Sequence, residues 1–180
     1  MGVLACVALS RAYAAPVTLA VDPAASRIDI SVKATVDSFV ATLSVYKASV
    51  QVDSVTGGVG SAELSFRFSD VKTGNEKRDK EMLTWEQSDT FPEGRFRLVS
   101  LVAEGQGRFS AKGSLTLHGQ SQDLTFPVTI DKAGAGLVVA GEATLDTRTF
   151  GLPIIKKFGL LKVDPLVVVR FHLVGMPTGT

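Results

Sequence analysis

The sequence is poor in the residues that most often carry chemistry. Its 180 residues include one cysteine, one tryptophan and two histidines. Cys6 lies in the opening segment, so a chain cut after that segment holds no thiol, disulfide or cysteine metal ligand. His118 and His172 have no spaced cluster of Cys, Asp or Glu beside them, so no metal site and no cofactor are expected. An excess of one charge is also missing. Nineteen basic side chains face 18 acidic ones, a formal net charge of +1, which removes any chain-wide attraction for nucleic acid or an anionic membrane. There is no Gly-x-Ser-x-Gly elbow and no Cys-x-x-Cys-His haem attachment. Gly57-Gly58-Val59-Gly60 and Gly134-Ala135-Gly136 each join strand to strand and open no helix, so neither is a phosphate-binding fingerprint. No uninterrupted apolar span reaches the roughly 20 residues of a transmembrane helix.

What is present begins with a short apolar run that passes through Ala12-Tyr13-Ala14, the small-x-small form that signal peptidase cuts. Residues 1–14 are therefore expected to be a signal peptide and 15–180 the mature domain, in the periplasm or secreted. No Lys or Arg precedes the apolar run and Arg11 sits late, the pattern of a signal whose start lies upstream. Val3-Leu4-Ala5-Cys6 has the form of a lipoprotein box, which would instead leave a lipid on Cys6. With 45% hydrophobic and 21% charged residues, the chain is long enough for one domain with a full core.

After Ala15 the dominant period is two. Ile28, Ile30 and Val32 alternate with Asp29, Ser31 and Lys33, and Ala62, Leu64, Phe66 and Phe68 alternate with Glu63, Ser65, Arg67 and Ser69. Phe109 to Leu117 and Leu124 to Ile130 repeat the pattern, which is that of half-buried strands. The connections are short: Thr56-Gly57-Gly58, Glu104-Gly105-Gln106-Gly107, His118-Gly119-Gln120 and Lys132 to Gly136 are all of hairpin type. Sequential strands are thus expected to pair as antiparallel neighbours. About eight of them in up-and-down order can close into a barrel with room for a ligand, with a sandwich as the competing architecture.

The inward set also bears on volume. Ala111, Gly113, Gly141 and Ala143 occupy positions where a filled core would carry Val, Leu or Ile, beside Phe66, Phe68, Phe96 and Phe126. Such small residues either leave an apolar space for a hydrophobic guest or relieve crowding where the sheet bends.

The densest charge lies between Gly74 and Glu81. Asn75 is a natural N-cap, and Arg78, Met82, Leu83 and Trp85 can form an inward side, so Asn75–Trp85 is expected to be a short helix crossing one end of the barrel. Glu76 with Lys80 and Lys77 with Glu81 fall at i,i+4, the spacing of a solvated helix face and not of a catalytic loop.

Four blocks then resemble one family, the YceI-like or lipid/polyisoprenoid-binding proteins. They are VDPAASRIDISV at 21–32, VKTGNEKRDKEML at 71–83, GSLTLHGQSQDLTFPV at 113–128 and LDTRTFGLP at 145–153. The chain departs from the family pattern at Ala25-Ser26, where the family often has His before the Ser, and in its shortened Ser88-Asp89-Thr90-Phe91 stretch. The resemblance implies a lipocalin-like antiparallel barrel that holds a long isoprenoid or amphiphilic lipid, commonly in exported bacterial proteins; the residues themselves offer a container and no evident catalyst, so the chain is not expected to be an enzyme. The lining would come from Phe66, Phe68, Phe96, Ala111, Gly113, Leu115, Leu117, Phe126, Gly141, Ala143 and Phe171. His118 and Arg148 are candidates for mouth or head-group contacts, and the apolar connection from Phe150 to Pro165 for a lid. Two other readings stay open: an enzyme acting on such a lipid through His118 with Asp123 or Arg148, and an interaction module whose barrel is solid.

Overall fold

The computed structural model describes residues 16–157 and 161–178, so the expected signal peptide and Cys6 lie outside the described residues. Twelve strands form one antiparallel sheet system: β1 (Val17–Val21), β2 (Arg27–Ala34), β3 (Phe39–Leu43), β4 (Lys47–Val52), β5 (Val59–Arg67), β6 (Val71–Lys72), β7 (Glu93–Gly105), β8 (Arg108–Leu117), β9 (Gln120–Ala133), β10 (Gly136–Asp146), β11 (Lys156–Lys157) and β12 (Leu161–Pro177). Eight staves result, because three of them are broken strands. β12 has 17 residues, about 55 Å at ~3.4 Å each. It pairs with β2 along Val163 to His172 and with β1 along Gly175 to Pro177. In the same way β3 and β4 share one stave, and β5 continues through a 3₁₀ turn (Phe68–Asp70) into β6. The β1–β12 pairing closes the ring, so the barrel keeps the up-and-down order expected from the hairpins.

Each connection has a local cause. His118 and Gly119 both adopt positive φ, 47° and 69°, as a two-residue hairpin with the right twist demands. The one α-helix among the described residues, α1 (Glu76–Glu86), starts where expected: the Asn75 side chain accepts from the backbone N–H of Arg78. Its first turn is fixed to the preceding strand by Asp79, which accepts from the backbone N–H of Thr73 at 2.9 Å and from its hydroxyl at 2.6 Å. Burial alone would raise the Asp79 carboxyl, but these bonds, with Lys72 and Arg78 nearby, hold it below the usual range. Arg78 reaches Asp37 at 3.2 Å and lies 4.1 Å over the Phe39 ring, tying the helix to the β2–β3 loop.

The core has three parts. Under the helix, Phe68, Leu115, Leu117, Leu145, Phe150 and Leu152 pack together. Ile28, Ala41, Leu43 and Val71 form a second group on the broken staves. Leu19, Val52 and Leu137, with Val50, Val59 and Ile130, fill the far end. The outer face carries cross-strand ion pairs, Lys112 with Asp123 at 3.0 Å and Arg170 with Glu142, which being exposed contribute at most about 1 kcal/mol each.

Candidate functional site

Between the helix and the far-end cluster the barrel encloses a cavity of about 1190 Å³. Small-molecule sites run to about 1,000 Å³, so this volume suits a long guest. It also overturns the solid-barrel reading. The wall is the inward set of the strands, from Leu19 and Leu137 at the far end through Ile30, Leu64 and Val169 to Leu117 and Leu145 under the helix. Charged residues enter the lining chiefly at the helix end. Asp37, Lys77, Arg78, Lys80 and Glu81 come from the β2–β3 loop and α1, and Lys156 and Asp164 from the connection opposite. Leu152, Pro153, Ile154 and Ile155 of that connection also line the cavity, and the Trp85 indole N–H donates to the Pro153 carbonyl at 2.8 Å. The Phe150–Pro165 connection thus forms part of the pocket wall, fastened to α1, while residues 158–160 lie outside the described residues.

A YceI-like domain model matches residues 19–175, which includes every stave of the barrel. The chain belongs to the YceI-like domain family. Among solved structures, the YceI-like barrel is similar to BcnA of Burkholderia cenocepacia (TM-score 0.75, 22% identity, covering 86% of this chain and 98% of that one). It is also similar to a polyisoprenoid binding domain from Saccharophagus degradans implicated in plant cell wall breakdown (0.70, 16%, 90% and 99%). A YceI protein of Campylobacter jejuni matches at 0.63 and 12% identity, over 78% and 85%. A comparison with curated protein sequences found no match. At these identities the structural likeness establishes the fold.

Nine of the residues singled out from sequence line the cavity of the YceI-like barrel: Phe66, Phe68, Phe96, Ala111, Leu115, Leu117, Phe126, Ala143 and Phe171. The phenylalanines form a belt. Phe96 and Phe126 lie 5.8 Å apart, Phe126 and Phe171 6.0 Å, and Phe66 meets Phe68 edge-on at 5.4 Å.

Gly113 and Gly141 are not among the lining residues, and the room they leave is already taken. A Cβ at Gly113 would overlap the Phe96 ring, and one at Gly141 would stand 2.7 Å from the Phe171 ring and 2.8 Å from the Pro127 carbonyl. Phe66 lies over Gly94 in the same way. Each glycine therefore seats an aromatic ring from the next stave, and it is the ring that lines the cavity.

His118 and Arg148, the candidates for mouth contacts, are not among the residues that line the cavity. His118 Nδ1 lies 3.1 Å from the Phe150 carbonyl, and its ring meets Phe91 edge-on with centroids 4.5 Å apart. Arg148 is exposed and bound at 2.6 Å to Asp146, its neighbour in sequence, which holds the Asp146 carboxyl below the usual range and raises the guanidinium. Asp123 is engaged on the outer face by Lys112. Among the described residues no hydrogen bond or ion pair joins these three groups to one another, and each is held by another partner. Among the described residues no group of three or more His, Cys, Asp or Glu side chains is placed to share a metal ion, and no helix is long and apolar enough to cross a membrane.

Sequence reasoning missed Glu86. It is the last residue of α1, it lines the cavity, and it is only 1% exposed, the sole buried acid or base among the described residues. Burial pushes its carboxyl up to about 7, against a smaller lowering by the backbone N–H of His118. Its spacing from Lys80 and Glu81 reads as a solvated face, so nothing in the sequence marks it.

Proposed function

We infer that this YceI-like protein is an exported binding protein that holds an isoprenoid or other long amphiphilic lipid in the barrel interior. The observation that carries this is the continuous apolar cavity of about 1190 Å³ closed by packed leucine and valine at the far end. Each methylene moved from water into such a wall contributes about 0.8 kcal/mol, so a long chain binds tightly with few polar contacts. The polyisoprenoid binding domain of S. degradans shares the fold and supports the same ligand class. Export rests on the Ala12-Tyr13-Ala14 cleavage pattern.

Protein purified from its own host is expected to release a long-chain lipid into organic solvent, detectable by mass spectrometry, and to take up added isoprenoid after stripping. Neither release nor uptake would overturn the binding function. N-terminal sequencing of the mature chain is expected to begin at Ala15; an intact N-terminus would overturn export by cleavage.

A further inference from the structure

Glu86 presents a combination that neither the fold nor general lipid binding requires. The backbone N–H of His118 lies close enough to its carboxyl to favour the charged form, though burial outweighs it. Glu86 Oε1 is buried and has no hydrogen-bond partner. A buried polar atom left in that state costs as much as a lost hydrogen bond, and each such group calls for a missing partner. Tyr46 Oη and His118 Nε2 are also buried and unpartnered, but neither residue lines the cavity, whereas Glu86 does. Glu86 lies beside Trp85 beneath the C-terminal end of α1, where no basic residue occupies the last turn. A carboxylate there is disfavoured both by burial and by the negative end of the helix dipole, so the neutral acid is the form that fits.

We propose that Glu86 is the polar subsite of the cavity and takes a neutral hydroxyl group at the end of a long apolar chain. This rests on the lipid-binding function inferred above and specifies its ligand as an alcohol-type amphiphile whose tail runs toward Leu19 and Leu137. A neutral carboxyl can donate to the hydroxyl oxygen or accept its proton, so one hydrogen bond satisfies two groups that would otherwise be buried unpaired. A phosphate at the same point would bring a charge into apolar surroundings with no cation contributing to the Glu86 environment. Anionic head groups are therefore excluded from this position, and a phosphorylated chain would have to leave its charge at the rim beside Lys77 and Lys80.

The test uses the full chain, stripped of lipid, with geranylgeraniol and the C20 hydrocarbon in which hydrogen replaces the hydroxyl. Binding is read from the fluorescence of Trp85, the single tryptophan, which lines the cavity. Glu86→Leu is expected to weaken the alcohol at least about tenfold while leaving the hydrocarbon within about threefold, and Glu86→Gln to retain the alcohol. In the parent protein, the Glu86 side-chain carboxyl carbon is expected to shift in the NMR spectrum on adding the alcohol and not on adding the hydrocarbon. That measurement decides the matter if Glu86→Leu does not fold. Equal weakening of both ligands, or an unmoved carboxyl signal with the alcohol bound, overturns the Glu86 subsite and leaves lipid binding standing. Failure of both ligands to bind the parent protein overturns the binding function itself, and the subsite with it.

Discussion

The two ends of the barrel close in different ways. At the far end the turns are tight, with Gly57 and Gly134 at positive φ, and the interior is stopped by Leu19, Val52 and Leu137 packed on Val50, Val59 and Ile130. At the helix end the closure is made by α1, the segment Leu152 to Lys156 and a rim of charged residues, with one acid buried beneath. A plug needs only complementary apolar shapes. A cover over an apolar volume must present water with polar groups on one side and hydrocarbon with apolar groups on the other, which a helix supplies through its two faces. The far end is therefore a packing device, and under the proposed function the helix end is the side at which a ligand enters and is recognised.

Truncation on both sides tests that division most strongly. Phe150, fully buried under the helix, should cost about 3–5 kcal/mol when changed to alanine, and Leu137→Ala at the far end about 2–5 kcal/mol, both measured by urea denaturation. Only the Phe150 variant should alter the rate of lipid uptake; equal effects on uptake would erase the distinction between the ends.

Next in size is the pH dependence contributed by Glu86. Its folded value of about 7 lies above the ordinary 4.5, so the folded state holds the proton more tightly than the unfolded chain. The stabilisation is complete below the ordinary value and is lost as pH rises to the folded one, on the order of 3 kcal/mol in all. The stability of the parent relative to Glu86→Gln should therefore fall between pH 5 and pH 8. A difference independent of pH would show that the carboxyl is not buried as described.

Midway along the barrel, Gly113→Ala forces the Phe96 ring to move and should cost about 1–3 kcal/mol, with chain-length preference changed through the displaced ring. A variant of unchanged melting temperature would mean that the ring has other room. The smallest effect is expected at the helix start, where Asn75→Ala removes the cap to Arg78 and should cost about 1 kcal/mol. Native-state hydrogen exchange should place that loss in α1 and leave the far-end strands protected.

Much of the architecture was legible because a strand writes its two faces into alternate residues. Ile28, Ile30 and Val32 point inward and line the cavity as their period requires. The Asn75 cap and the hairpin at His118-Gly119 were legible for the same reason, since each depends on a few neighbouring residues. Tertiary structure decided what depends on residues far apart in the chain. Whether Gly113 is empty space or a seat for Phe96 turns on the β7–β8 register, and whether β1 and β2 share a stave turns on the length of β12. Arg148 looked available until its pairing with Asp146 was seen, and His118 until its ring was found against Phe91 and Phe150. Glu86 marks the limit most clearly. By sequence it is one more charge on a solvated helix, and only the docking of the helix end onto the β8–β9 hairpin removes it from water. Local periodicity assigns a face to each residue, but desolvation is a property of what lies opposite.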